Sequence, residues 1–116
     1  MFNTRIRGKK AEDVACNFLL NNGLELLERN YSCRYGEIDL IMRDSDVLVF
    51  IEVRYRKHAA FGTAAESIDA NKRRKIIFTA DYYLQRNKPN CSTRFDVVTL
   101  DAERSPEWIT DAFTSD

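Results

Sequence analysis

Residues 36–55 read GEIDLIMRDSDVLVFIEVRY, and this stretch decides the fold. Glu37 to Arg43 alternates, with Ile38, Leu40 and Met42 on one face and Glu37, Asp39 and Ile41 on the other, which is the period of a strand. Val47 to Tyr55 is a long apolar run rich in β-branched residues, the composition of a strand covered on both faces. Asp44, Ser45 and Asp46 join the two. If Ser45 and Asp46 form a two-residue turn, Asp44 stands opposite Val47 and the same register carries Asp39 opposite Glu52. A slip of one residue would send Asp39 to the other face.

Outward from this hairpin, Ala11, Val14, Ala15, Phe18 and Leu19 recur at helical spacing, predicting a helix from Gly8 to Asn22. Leu24 to Arg34 reads as a strand, although Glu25 to Arg29 fits a helix equally well. Arg34, Tyr35 and Gly36 then make a turn. On the far side, Ile68, Ile76, Ile77, Ala80, Tyr83 and Leu84 predict a second long helix from Ala65 to Arg86, broken around Pro89. Arg94 to Leu100 alternates as a fourth strand, and Trp108, Ile109 and Phe113 suggest a last short element. The order is αβββαβ, an α/β class. A crossover helix should return the fourth strand parallel to the third, which predicts a mixed sheet flanked by helices. With no repeat and no internal linker, residues 1–116 read as a single domain.

The composition, 44% hydrophobic and 31% charged with four glycines and two prolines, is that of a folded chain, and this length should bury roughly two thirds of its unfolded surface. No apolar run reaches the roughly 20 residues of a membrane helix, and Met1 to Lys10 lacks the apolar stretch of a secretory signal, so a cytoplasmic protein away from membranes is expected. Cys16, Cys33 and Cys91 suit neither a disulfide framework nor a zinc site and read as reduced structural thiols. Basic and acidic side chains balance at 18 each, but they are unevenly placed. Asp101, Glu103, Glu107, Asp111 and Asp116 face only Arg104 near the end. Basic clusters fall at Arg5, Arg7, Lys9 and Lys10, at Arg54, Arg56 and Lys57 beside His58, and at Lys72 to Lys75. Each alone is most simply a solvated face; their convergence would mark a phosphate-binding surface.

The chemistry concentrates on the hairpin. Glu52 interrupts an otherwise apolar strand, and Arg54 follows on the same face. A buried carboxylate must sit at an open end, pair with a cation or bind a metal. Asp39 opposite Glu52 makes a carboxylate pair whose mutual repulsion a hard dication such as magnesium would relieve. Such an ion supports phosphodiester chemistry, with Arg54 holding the phosphate. Glu12 lies three and seven residues before Ala15 and Leu19, on or beside the inward stripe of its helix, from where it could complete the site. The bland alternative is that Glu52 and Arg54 pair with each other and backbone groups satisfy Asp39. Likewise Tyr55 and Phe61 could stack on an unpaired base or simply pack.

The residues that carry a family likeness are Gly8 with Glu12 and Ala15, Arg29-Asn30, Gly36-Glu37-Ile38-Asp39-Leu40-Ile41, Leu48 to Arg56, Phe61-Gly62, Lys72, Arg94 to Val98, Trp108-Ile109 and Asp111-Ala112-Phe113. In order and over nearly the full length, they resemble the YraN-like family of uncharacterised bacterial proteins. That family is similar in fold to Holliday junction resolvases and the PD-(D/E)xK nuclease superfamily. The resemblance implies a restriction-endonuclease-like core and a nuclease-like domain. It also implies magnesium or manganese held by Asp39, Glu52 and Glu12, DNA as substrate, and a homodimer by analogy with resolvases. The superfamily's acid-any-lysine is Glu52-Val53-Arg54 here, and arginine keeps the charge but cannot serve as a base.

In that setting Asp39, Glu52, Arg54 and Glu12 are the expected catalytic residues, and Arg56, Lys57, Lys72, Arg73 and Lys9 are expected to grip nucleic acid. Three readings follow: a structure-selective DNA endonuclease, a non-catalytic nucleic-acid-binding module with a degenerate site, or an assembly component that uses a surface near Trp108 and Phe113.

Overall fold

The computed structural model describes residues 4–55, 68–103 and 105–115, with side chains from Lys9 onward. Its elements are α1 (Thr4–Asn21), β1 (Glu25–Cys33), β2 (Gly36–Asp44), β3 (Val47–Tyr55), α2 (Ala70–Asn87), β4 (Ser92–Leu100) and β5 (Pro106–Phe113). They build one five-stranded sheet in the order β1-β2-β3-β4-β5. The pairings β1–β2, β2–β3 and β4–β5 are antiparallel and β3–β4 is parallel, the mixed α/β sheet expected for a helix crossover. Glu25 to Arg29, ambiguous in sequence, is strand.

The run from Val47 to Val53 is apolar on both sides because each side meets a helix. Leu48 and Phe50 pack with Ile76, Ala80 and Tyr83 of α2, while Val49 and Ile51 pack with Ala11, Ala15 and Leu19 of α1. Burying a side chain of this size contributes about 1.5–3 kcal/mol, so β3 anchors both layers.

α2 begins five residues later than its apolar spacing predicts. Asp69 is its N-cap, extended at φ −73 and ψ 171, and its carboxylate accepts the Lys72 N–H at 2.8 Å. Ile68 is buried in the α2-side core without being helical, which is why spacing alone drew it into the helix; residues 65–67 lie outside those described. At its far end Lys88, in the left-handed region at φ 44, donates its N–H to the Leu84 carbonyl and stops the helix.

The last element is a full edge strand rather than a short tail. Phe113 is buried, stacked on Phe95 at 5.0 Å, and Trp108 meets Phe18 of α1 edge-on at 6.3 Å. Both residues contribute to packing, Phe113 buried and Trp108 half-buried. Holding this edge is Asp96, fully buried on β4. It accepts two bonds from Arg94 (2.9 Å each), one from Trp108 Nε1 (2.9 Å) and one from the Asp111 N–H (2.9 Å). Arg94 also reaches Asp44 at 3.0 Å, tying β4 to the end of β2. The three thiols are free, with Cys16 buried and Cys91 exposed, so a structural part suits Cys16 but not Cys91.

Removing Asp96 would leave Trp108 Nε1 and the Asp111 N–H without an acceptor and the part-buried Arg94 guanidinium with Asp44 alone. Asp96→Ala should destabilise the chain by about 3–5 kcal/mol, whereas the more exposed Asp44→Ala should cost about 1 kcal/mol. Urea unfolding midpoints measure both, and equal losses would refute a central part for Asp96.

Candidate active site at the parting of two strands

The hairpin has the register expected of its two-residue turn. Ser45 takes the left-handed conformation (φ 56) that opens such turns, and Asp44 pairs Val47. The ladder runs through Leu40 and Ile51, and the next step of the same register sets Asp39 against Glu52. There the strands change character. The Val53 N–H donates to the Asp39 carboxylate at 2.8 Å. Ile38 packs in the α2-side core with Ile41, whereas Leu40 and Met42 pack on the α1 side. Two residues in strict alternation share a face, so Ile38 and Leu40 on opposite sides mean that β2 is wrenched at Asp39. This corrects the simple alternation of Ile38, Leu40 and Met42. On the neighbouring strand Asn30, between the pairs Arg29–Leu40 and Tyr31–Ile38, has φ 53.

The wrench brings acids from both layers to one point. Carboxylate oxygens of Glu12 on α1 and of Glu37 and Asp39 on β2 lie within 4.8 Å of one another. Oriented with its nitrogen toward the acids, the Asn30 amide donates to Glu12 at 2.9 Å and to Glu37 at 3.0 Å, and Arg29 lies 3.7 Å from Glu12 and 2.8 Å from Asp13. Burial, and next the Asp39 charge, raise the Glu12 carboxyl above its usual range, against the opposing pull of Arg29 and Asn30.

Glu52 is the most perturbed group. Only 7% exposed, it is pushed up to about 9 by burial first, then by the neighbouring Asp39 charge and a hydrogen bond to Asp39 that favours the protonated form; Lys72 and Arg54 oppose this. Its ion pair is with Lys72 Nζ of α2, at 3.9 Å. The structure thus replaces the Glu52–Arg54 pairing open to the sequence with a strand–helix pair, and Arg54 acts on Glu52 more weakly than Lys72 does. α2 packs over the start of β2, where a Cβ on Gly36 would stand 3.4 Å from Lys75 Cβ and from Thr79 Oγ1.

Of the residues singled out from sequence, Asp39, Glu52 and Glu12 therefore meet, and Arg54 stands at their edge. Arg73 turns instead to the Ile68 carbonyl (2.9 Å) and lies over the Phe113 ring at 5.6 Å, and Lys9 is an exposed residue of α1. Tyr55 packs against the α1-side core rather than standing open. Arg56, Lys57, His58 and Phe61, like the side chains of Arg5 and Arg7, lie outside the described residues. Sequence reasoning missed Glu37, although its place two residues before Asp39 was the available signal, and missed Asn30, for which no periodicity argues. Hard oxygen donors in this number could hold a divalent cation, and the acids whose oxygens lie together are Glu12, Glu37 and Asp39, with Glu52 beside Asp39.

An acid raised in the folded state binds its proton more tightly than the unfolded chain does, so its contribution is retained below the usual 4.5 and lost as pH rises toward 9. In chelator, Glu52→Gln should therefore unfold less readily than the wild type at neutral pH, by up to about 3 kcal/mol, with the gap narrowing toward pH 4.5. Thermal unfolding across that range measures it, and a variant as pH-sensitive as the wild type would show that Glu52 is not the strained acid.

Known proteins resemble the chain over nearly all of its length. A UPF0102 protein of Pseudomonas paraeruginosa is 48% identical over 120 residues, covering 96% of this chain and 94% of the relative. Another from Dechloromonas aromatica is 50% identical over 113 residues, covering 97% and 92%. A third, from Nitrosococcus oceani, is 49% identical over 117 residues, covering 94% and 92%. Residues 11–100, which hold the whole carboxylate cluster and Lys72, match the pattern described as the uncharacterised protein family UPF0102, the YraN-like family of bacterial proteins, and the chain belongs to it.

Proposed function

We propose that the chain is a magnesium-dependent, structure-selective DNA endonuclease of the Holliday junction resolvase type, hydrolysing phosphodiester bonds. The observation that carries this reading is the meeting of Asp39, Glu12 and Glu37 where β2 and β3 part, beside a buried Glu52 that pairs with a lysine. The sequence resemblance to the PD-(D/E)xK superfamily supports it independently.

The acids divide the work by environment. Asp39 is fixed by the Val53 N–H and so presents a constant oxygen to a ligand. Glu52 holds a proton at neutral pH until a cation displaces it, so binding releases a proton and tightens as pH rises. Magnesium held by Asp39, Glu52 and Glu12 would polarise a phosphoryl oxygen and lower the pKa of a bound water. Lys72 reaches the site from α2 as a compact ammonium able to offset charge on the phosphate, and as an amine it can exchange a proton, which Arg54 cannot. Arg54, on the same face as Glu52, would steady the phosphate.

Purified protein with magnesium should cleave branched or flapped DNA, and Asp39→Asn or Glu52→Gln should lower the rate by about 100-fold or more. Lys72→Ala should also slow cleavage; recovery in Lys72→Arg would assign Lys72 a charge role, and loss in both a proton-transfer role. No cleavage of any DNA by the wild type would sink the proposal. The second reading, a non-catalytic nucleic-acid-binding module, is favoured by one feature, Arg54 where a lysine is expected. Salt-sensitive binding that needs no metal and survives Glu52→Gln would support it.

A further inference from the structure

Beside the carboxylates the molecule displays rings that a folded domain ordinarily buries. Among the described residues the exposed large apolar side chains are Leu20, Tyr35 and Phe78, and two of these three stand together. The rings of Tyr35, at the β1–β2 turn, and Phe78, on α2, lie 5.5 Å apart with planes tilted by 40°. They are 41% and 47% exposed. The Arg34 guanidinium lies 5.0 Å from the Tyr35 centroid and donates to its hydroxyl at 3.0 Å. Arg74 and Lys75, both exposed, precede Phe78 by four and three residues and so share its side of α2. Phe78 also walls, with Arg74, a groove of about 730 Å³ that runs toward the end of β5.

Position gives these features a common direction. Lys72 touches Glu52, Lys75 follows one turn on, and Phe78 lies six residues from Lys72, about 9 Å along the helix. Gly36, which follows Tyr35, is three residues from Asp39, about 10 Å along β2. A basic line with an aromatic ledge at its end thus leads away from the proposed phosphate position.

We infer that Tyr35 and Phe78, flanked by Arg34, Arg74 and Lys75, form a stacking shelf for unpaired bases of a single-stranded segment that adjoins the cleavage site. The charge selects the occupant. Three exposed cations around two rings suit a polyanion that also carries flat apolar faces, and stacking on aromatics among basic side chains is how single strands are held without sequence preference. A duplex keeps its base faces inside the stack and offers this shelf only phosphates. The inference rests on the nuclease reading and names the substrate feature that such a nuclease would select, an unpaired strand next to the scissile bond.

The test uses the full chain in chelator, with fluorescence anisotropy on a labelled oligothymidylate and on a blunt duplex. Tyr35→Leu/Phe78→Leu keeps apolar area but removes the π faces, and circular dichroism with a thermal scan verifies its fold. The double variant should bind oligothymidylate about ten-fold more weakly than the wild type and the blunt duplex unchanged. Losses equal on both probes, no loss on either, or a wild type that does not bind oligothymidylate would overturn the shelf. So would sedimentation showing a dimer that the variant dissolves while binding is retained, since the rings would then serve a second copy. Magnesium-dependent cleavage is assayed in parallel on flapped DNA. Cleavage with unaltered flap preference in the variant would remove the shelf and leave the nuclease; selective loss of oligothymidylate binding in a protein that cleaves nothing would do the reverse.

Discussion

The register of one hairpin governs everything that the site contains. Ser45 and Asp46 close a two-residue turn, Asp44 pairs Val47, and each further pair is then determined until Leu40 meets Ile51. Because side chains alternate, a one-residue slip would exchange the two faces of β2, placing Leu40 and Met42 against α2 and Ile41 against α1. The core would lose its fit on both layers, and Asp39 would no longer approach Glu52. Packing of ordinary apolar residues thus enforces the meeting of two acids, and the cost of their repulsion is borne by burial elsewhere in the hairpin.

Two buried carboxylates in this sheet stand in opposite surroundings. Asp96 has four short donor contacts, two from Arg94 and one each from Trp108 and the Asp111 N–H, enough to saturate both oxygens. Glu52, nearly as deep, has a lysine at 3.9 Å and a carboxylate as its neighbour, and it responds by holding its proton. Asp96 is surrounded by donors, whereas Glu52 has a carboxylate beside it, with Lys72 and Arg54 only partly offsetting that charge. Such an arrangement disfavours the ionised form of Glu52, and it is the feature on which the proposed metal site rests.

Much of this was legible from the chain alone, for identifiable reasons. The αβββαβ order, the parallel return of β4 and the approach of Asp39 to Glu52 all follow from periodicity and from turn length, which are local properties. Glu12 could be placed because an acid on the inward stripe of a helix is costly without a reason. What was not legible depends on departures from regularity. The wrench at Asp39, visible in Ile38 and Leu40 lying on opposite faces, breaks the strict alternation that the sequence suggests. Ile68 satisfies the spacing of α2 while lying before its cap, so the helix start was misplaced. Lys72 was recognised as a cation near the site, but its contact with Glu52 depends on how α2 seats against the sheet, a matter of packing that no local pattern fixes.

That last contact changes how the departure from the acid-any-lysine pattern should be judged. A lysine two residues beyond the acid on the same strand is held rigidly by the strand itself. Here the strand carries Arg54, and the ammonium arrives from a separate element whose position relative to β2 depends on packing at Gly36, Thr79 and the α2-side core. The charge near Glu52 is therefore supplied twice, once by the Arg54 guanidinium on β3 and once by the Lys72 amine on α2, which is 41% exposed. Only the second can exchange a proton, and only the second can be withdrawn without disturbing the sheet. The competence of the site then depends on the seating of α2 as much as on β3, and the helix that bears Lys72 also bears Phe78, so a strand stacked on the shelf would bear on the element that positions the amine.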